Sequence, residues 1–420
     1  MKNSPMTKFR EERNMKRLLV LLPAVLMTLC MLAGCSGTSA APGTAGYQIA
    51  MITDFGDITD QSFNQTTWEA VVSFSEDHGI PAKYFKPASN DTASRVAQVE
   101  LAVAEGCNVI VMPGYAFAGT LVEIAAEYPS VKFIALDVSK GDLLSEAVPL
   151  SGKIYDYDPE NWDLKDYVDL DNVYCAVYQE ALCSYMAGYA AVKLGYTRLG
   201  FLGGMAVPAV MRYGYGFVQG ADAAAKELNI TVDMKYVYGN QFYGDADITA
   251  YMDTWYQGGT EVVFACGGGI YTSVVDAAKK VDGARVIGVD VDQADIIAAY
   301  AAGAGASADE IARWHDLTVT SAMKGLAPTT IDTLTDVLIN GNWDAYAGRI
   351  DTLGLVSGED PTRNYVQLPD TTQFQEGSFT ETDYKALIKG MFDGSVTVSG
   401  DTAKAPAATH VRMEYLGSIK

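Results

Sequence analysis

Histidine is nearly missing from this chain: His78, His315 and His410 are the three in 420 residues, and none lies near a Cys or Ser in a nucleophile-like setting. No catalytic constellation is therefore expected. Positive charge is also short, with 30 Lys+Arg against 52 Asp+Glu and a formal net charge of -22. So acidic a surface repels phosphate backbones, and no Lys/Arg cluster interleaved with aromatics offsets it, which excludes a nucleic-acid partner. The glycine runs lack the Gly-x-Gly-x-x-Gly spacing and there is no P-loop lysine, so neither a dinucleotide nor an NTP is expected as cofactor. The cysteines show no metal-type spacing, and no metal is expected. No short-period repeat is present, which excludes solenoids and propellers.

The amino end carries Lys2, Lys8, Arg10, Arg13, Lys16 and Arg17, then an apolar run from Leu18 to Ala33 that leads into Gly34 and Cys35. A basic region, a short apolar core and small residues before a cut make an export signal. The run has 16 residues and contains Pro23, short of the roughly 20 that span a bilayer. Leu32-Ala33-Gly34-Cys35 resembles the lipobox of bacterial lipoproteins, which implies a signal over 1–34, a lipid on Cys35 and attachment to the outer face of the cell membrane. Residues 35–46 then form the lipidated Cys and a Gly- and Ser-rich tether, and the folded body begins near Tyr47. Loss of residues 1–34 removes six basic and two acidic residues, which takes the net charge from -22 to -26. Cys107, Cys175, Cys183 and Cys266 sit among apolar neighbours and read as buried thiols, although an oxidising exterior leaves room for one disulfide.

At 49% hydrophobic and 20% charged residues, the body is globular and of two- or three-domain size. Short apolar runs at 47–53, 108–112, 131–136, 197–202, 261–265 and 285–289 are each followed by an amphipathic, helix-length segment. That alternation predicts α/β architecture with parallel sheets covered on both faces. After Pro208, the residues Val210, Tyr213, Phe217, Ala221 and Ala224 share one helical face. There are too many strands for one small sheet, so two lobes are expected, with a crossover near 179–194 whose Tyr185, Ala187 and Gly188 allow close packing between them. The acidic, Tyr-rich stretch 139–171 reads as a surface insertion, and 379–394 as an ordered helical tail.

In parallel α/β sheets the ligand crevice lies beyond the carboxyl ends of the strands. Asp54, Asp137 and Asp290 follow three of the predicted strands; Gly114, Gly203-Gly204 and Gly267 to Gly269 follow three others. Three carboxylates on one rim suit a ligand rich in hydroxyl and N–H groups. After the first strand, Thr59 or Asp60 can cap a helix, which sets Phe63 and Asn64 in its first turn beside the crevice. Phe63 with Asn64 and Asp54 reads as a platform for a planar heterocycle, stacked on the ring and hydrogen-bonded at its edge.

This segment, Asp54-x-Gly56-x-Ile58-x-Asp60-x-Ser62-Phe63-Asn64-Gln65-x-x-Trp68, resembles the basic membrane protein family of substrate-binding lipoproteins, which includes purine-nucleoside receptors of ABC importers. The resemblance extends through Asp137, Phe201 to Gly204 with Pro208 and Gly216-Phe217, Gly267 to Gly269, Ile287 to Gln293 and Thr320 to Lys324. It implies a type I periplasmic binding protein: two doubly wound parallel-sheet lobes joined by three crossovers, with lobe 1 over 47–178 plus about 323–355 and lobe 2 over about 179–322 plus 356–420.

The same resemblance implies that Asp54 and Asn64 address a base edge and Phe63 stacks on one face of the base. Tyr213 stands where the family usually has Phe and would meet the other face, adding a hydroxyl. Asp137 and Asp290 would accept ribose hydroxyls, Gly268 would let backbone approach the sugar, and Lys324 would complete the sugar site. The segment 294–315 is longer than the family's usual connection, so Lys324 is placed by the Thr-Ser-x-x-Lys pattern alone. The implied partners are a nucleoside, an ABC permease and ATPase, and the membrane through the lipid, with the protein itself a monomer. Two other readings use the same residues: a sensor of another small cargo such as a sugar, and an Asp-x-Asp phosphohydrolase built on Asp290 and Asp292. In the latter motif Thr or Val should follow, and this chain has Gln293 and Ala294.

Overall fold

In the computed structural model, residues 46–420 are described; the export signal, Cys35 and all of the tether except Gly46 lie outside them. In chain order the main elements are β1 (Ile49–Ile52), α1 (Phe63–His78), β2 (Ala82–Phe85), α2 (Thr92–Ala104), β3 (Val109–Pro113), α3 (Phe117–Ile124), β4 (Lys132–Leu136), α4 (Lys140–Leu150) and β5 (Val173–Tyr178). There follow α5 (Glu180–Lys193), β6 (Arg198–Gly203), α6 (Pro208–Leu228), β7 (Val232–Tyr238), α7 (Ala246–Gln257), β8 (Val262–Cys266), α8 (Tyr271–Ala278), β9 (Arg285–Asp290), α9 (Ala294–Gly303) and α10 (Ala308–His315). The chain ends with β10 (Thr318–Lys324), α11 (Leu326–Leu334), β11 (Arg349–Leu353), β12 (Val366–Gln367), α12 (Glu381–Phe392) and β13 (Val411–Ser418).

Every apolar run read from the sequence is a strand. They assemble into two sheets, ordered β11-β5-β4-β3-β1-β2 and β12-β10-β9-β8-β6-β7-β13. All neighbours pair in parallel except β10 and β12. The inner order 2-1-3-4-5 of the first sheet recurs as 7-6-8-9-10 in the second, so β4 and β9 hold equivalent places. Central strands such as β1, β3 and β8 are buried throughout, as parallel strands covered on both faces must be.

The chain passes between the sheets three times: from β5 through α5 to β6, from β10 through α11 to β11, and from β11 to β12. Hydrogen bonds tie these passages together. Gln179 N donates to the Leu353 carbonyl at 2.9 Å, Gly325 N to that of Tyr365 at 2.7 Å, and Tyr365 N to that of Gly354 at 3.0 Å. Three adjacent passages of this kind make a hinge.

Two expectations are corrected. Gly188 does not pack lobe against lobe; it seats α5 on α6, within the cover of the second sheet. A Cβ there would stand 2.3 Å from the Phe217 carbonyl oxygen, and one on Gly220 of α6 2.0 Å from that of Tyr185. The stretch 139–171 is not all insertion either. Ser139 and Asp142 form a capping box for α4, which buries Leu143, Leu144, Ala147 and Val148. Gly141, Pro149 and the flanking charges hid that helical period in the sequence. The rest of the stretch is irregular, braced by Tyr155, Trp162 and Tyr167. All four cysteines from Cys107 to Cys266 are buried and unbridged.

Candidate ligand-binding cleft

The strand ends converge as the crevice rule requires. Asp137, just past β4, has φ 61°, and Asp290, at the end of β9, has φ 66°. Asp tolerates this left-handed backbone better than most residues. Lys324, the last residue of β10, lies between the two: its Nζ is 2.5 Å from Asp137 Oδ2 and 3.3 Å from Asp290 Oδ1. All three are nearly sealed from solvent. Asp290 also accepts from Ser62 Oγ at 3.0 Å and from the Tyr213 hydroxyl at 3.1 Å.

Three consecutive residues carry the contact from one sheet to the other. Ser62 reaches Asp290; Phe63 offers a ring face to Lys324 Nζ, 4.4 Å from its centroid; Asn64 turns to the first sheet's own rim. Asn64 Nδ2 donates to Asp54 Oδ1 at 2.9 Å and Asp60 Oδ2 at 2.8 Å, and Asn64 Oδ1 accepts from Asp54 N at 3.2 Å. Asp60 accepts from the backbone N–H groups of Ser62, Asn64 and Gln65 at the start of α1. The cap position itself is Ser62, not Thr59 or Asp60 as expected, and the helix begins at Phe63, while Asp60 supplies the acceptor for its first-turn N–H groups.

Burial pushes the Asp137 carboxyl up to about 6, against the pull of the Lys324 ammonium. Burial lowers the Lys324 pKa, but Asp137, Asp290 and Glu180 together outweigh it and hold the amine charged. Asp60 is raised by its burial, opposed by the N–H groups it accepts from. Two carboxylate oxygens here, Asp137 Oδ1 and Glu180 Oε1, are buried without a hydrogen-bond partner.

Of the residues named from the sequence, Asp137, Tyr213, Asp290 and Lys324 meet in one cluster, while Asp54 and Asn64 form a second, joined to it through Phe63. Tyr213 is buried with its ring edge-on to Phe264 at 6.0 Å and its hydroxyl spent on Asp290. Gly268 follows β8 with φ 51° and has the Phe242 carbonyl as its nearest neighbour.

Sequence reasoning missed Glu180, wholly buried, whose Oε2 is 2.6 Å from Arg212 Nε, and Tyr178, whose ring lies 5.8 Å from Lys324 Nζ. Glu180 closely follows the end of β5, so the strand-end rule that found Asp137 could have found it. Ser62 stood inside the motif without a role. The carboxylates of Asp290 and Asp292 do not form a working pair: Asp292 accepts from Thr371 Oγ1 at 2.8 and 2.9 Å instead.

Two hinged parallel sheets with a buried ionic cluster at their facing strand ends define a two-lobed solute-binding protein of the type I periplasmic fold. The solute-binding proteins of ABC transporter systems from Conexibacter woesei and Aeropyrum pernix share that fold. They superpose with TM-scores of 0.58 and 0.57, at 20% and 18% identity, over 84% of this chain and 99% and 87% of theirs. The chain belongs to the Bmp family of PnrA-like ABC transporter substrate-binding proteins, whose family model matches residues 47–355. It is 26% identical to the ABC transporter nucleoside-binding protein BmpA of Lactococcus lactis over 296 residues, 66% of this chain and 74% of that one. Basic membrane protein B of Borreliella afzelii is equally similar, 26% over 285 residues, covering 67% and 74% of the two chains. The elements from β12 to β13 lie beyond the matched residues.

Proposed function

We propose that this substrate-binding protein captures a nucleoside, a purine nucleoside foremost, between its two lobes. It then delivers the nucleoside to an ABC permease and ATPase from a lipid anchor at Cys35 on the extracytoplasmic face. The observation that carries the reading is Asp137 Oδ1, a buried acceptor with no partner beside a charged lysine. Leaving such a group unmet costs about 1–3 kcal/mol, and a sugar hydroxyl donating to it removes that penalty.

The rest of the cleft suits the other half of a nucleoside. Lys324 covers one face of Phe63, which leaves the opposite face for a base, with Asn64 and Asp54 at its edge. Stacking there is worth about 0.5–1.5 kcal/mol beyond area burial. Asp290, already shared among Ser62, Tyr213 and Lys324, and the backbone at Gly268 complete the sugar end. Carboxylates outnumber cations around the cluster, so a phosphate would be repelled and an uncharged nucleoside favoured. The name of the Lactococcus relative supports the cargo class, and relatives from Pyrococcus named as lipoproteins support the anchor. We assign lobe 1 to 47–178 plus about 323–355 and lobe 2 to about 179–322 plus 356–420; the boundary near 323 falls inside β10, whose Met323 and Lys324 pair with strands of the second sheet.

The test is isothermal titration of refolded protein, stripped of carried-over ligand, with inosine, guanosine, adenosine, cytidine and ribose. Purine nucleosides should bind and Asp54→Ala and Asp137→Ala should abolish binding. Tight binding of a sugar with no response to any nucleoside overturns the assignment.

A further inference from the structure

Behind the hinge, away from the Asp137–Lys324 cluster, lies a cavity of about 260 Å³. Its walls include the rings of Tyr174, Tyr346 and Tyr365, with Asp332, Asp336 and Thr329 among them. Tyr174 and Tyr346 meet edge to face at 4.8 Å. We propose that this cavity is a second binding site, for a small organic ammonium ion.

Its charge supports that class. Asp332 accepts from the Tyr365 hydroxyl at 2.9 Å, and Asp336 from the Tyr346 hydroxyl at 2.9 Å and from Asn340 and Asn342. These donors are all neutral and leave both negative charges standing. The one guanidinium in the wall, Arg349, is paired with a third carboxylate: it donates twice to Asp351 and once to the Ala345 carbonyl. Tyrosine rings beside carboxylates that lack a cationic partner attract an ammonium and repel an anion. A metal ion fits less well, because among the described residues no three His, Cys, Asp or Glu side chains are placed to hold one.

A second observation is independent of the charge. Thr329, 2% exposed, lines the cavity with an Oγ1 that makes no hydrogen bond of ordinary geometry; the Tyr178 hydroxyl lies beside it and donates to the Gly325 carbonyl at 3.5 Å. An ammonium N–H can donate to that oxygen.

The position also gives the site a consequence. Tyr174 belongs to β5, which leads into the first passage between the sheets; Thr329 and Asp332 belong to α11, in the second; Leu353 and Tyr365 bracket the third. By the lobe assignment above, every wall residue except Tyr365 belongs to lobe 1, so rotation of the lobes moves Tyr365 against the other walls; an ammonium bound there favours one lobe arrangement, and its binding is coupled to that of the cleft ligand. Tyr178 stands between the two sites, with Lys324 near its ring and Thr329 beside its hydroxyl.

The test is calorimetric titration of the purified protein with putrescine at fixed ionic strength, with and without guanosine. Saturable 1:1 binding is expected, weakened about tenfold in Asp332→Asn and in Asp336→Asn, with a different guanosine affinity when putrescine saturates. No saturable putrescine binding by protein with an intact thermal transition overturns the site. So does binding indifferent to both Asn variants, or saturation by Ca²⁺ where putrescine is silent. Unchanged guanosine affinity overturns the coupling alone. Putrescine binding is read without any nucleoside, so it stands or falls separately from the proposed cargo.

Discussion

Asp137 and Asp290 are counterparts: one directly follows and the other ends the fourth strand of the shared sheet order, each has a left-handed backbone, and one lysine, Lys324, pairs with both. The two lobes thus present matching carboxylates to a single cation. A closed cleft sets Asp137 of the first sheet against the Lys324–Asp290 pair carried by the second.

Lys324→Met leaves two buried carboxylates facing each other without a cation. Loss of one partner from a buried ion pair costs about 3–5 kcal/mol. The midpoint of urea unfolding at pH 8 should fall accordingly. The loss should be smaller at pH 5, where the carboxylates can take up a proton instead.

Asp137, raised to about 6 by burial, has a pH signature. Its folded pKa lies above the ordinary carboxylate value near 3.9, so between those limits the folded state binds more protons than the unfolded state. The contribution of Asp137 to stability therefore declines as pH rises from about 4 to about 6. A ligand hydroxyl donating to the carboxylate favours its charged form, so ligand affinity should rise over the same rise in pH. Calorimetry in two buffers of different ionisation enthalpy should show proton release on binding near pH 6, absent in Asp137→Asn.

Tyr213→Phe removes one of the three donors on Asp290 and keeps the ring against Phe264. Ser62 and Lys324 still satisfy the carboxylate. The expected loss of ligand affinity is about tenfold or less, equivalent to about 1.4 kcal/mol. A loss of a hundredfold or more in the same titration would show that the phenol contacts the ligand directly.

Gly220→Ala tests the contact between α5 and α6. The added methyl meets the Tyr185 carbonyl oxygen at 2.0 Å, and backbone cannot move aside as a flexible side chain would. Overpacking of this kind costs about 1–3 kcal/mol. A lower thermal midpoint is expected, while Ala223→Ser on the same helix, only partly buried, should change it little.

Much of this protein was legible locally. Strand runs, the helical face from Val210 to Ala224 and the acidic rim each follow from neighbouring residues, because strand and helix periods and the turn after a parallel strand are short-range properties. The resemblance carried by Asp54 to Trp68 brought the hinged two-lobed class with it. What periodicity could not show is which strand ends meet. Asp137 and Lys324 are 187 residues apart, Ser62 and Asp290 228; their contact depends on three passages between sheets that no local pattern encodes. The same holds for the Glu180–Arg212 pair, for the turn of Asp292 toward Thr371, and for the cavity behind the hinge. The sequence by itself determined the layers and the chemistry available at their edges. Only the tertiary structure decided which carboxylates share a cation and which of their oxygens are left without a partner, because both depend on how the two sheets close on each other.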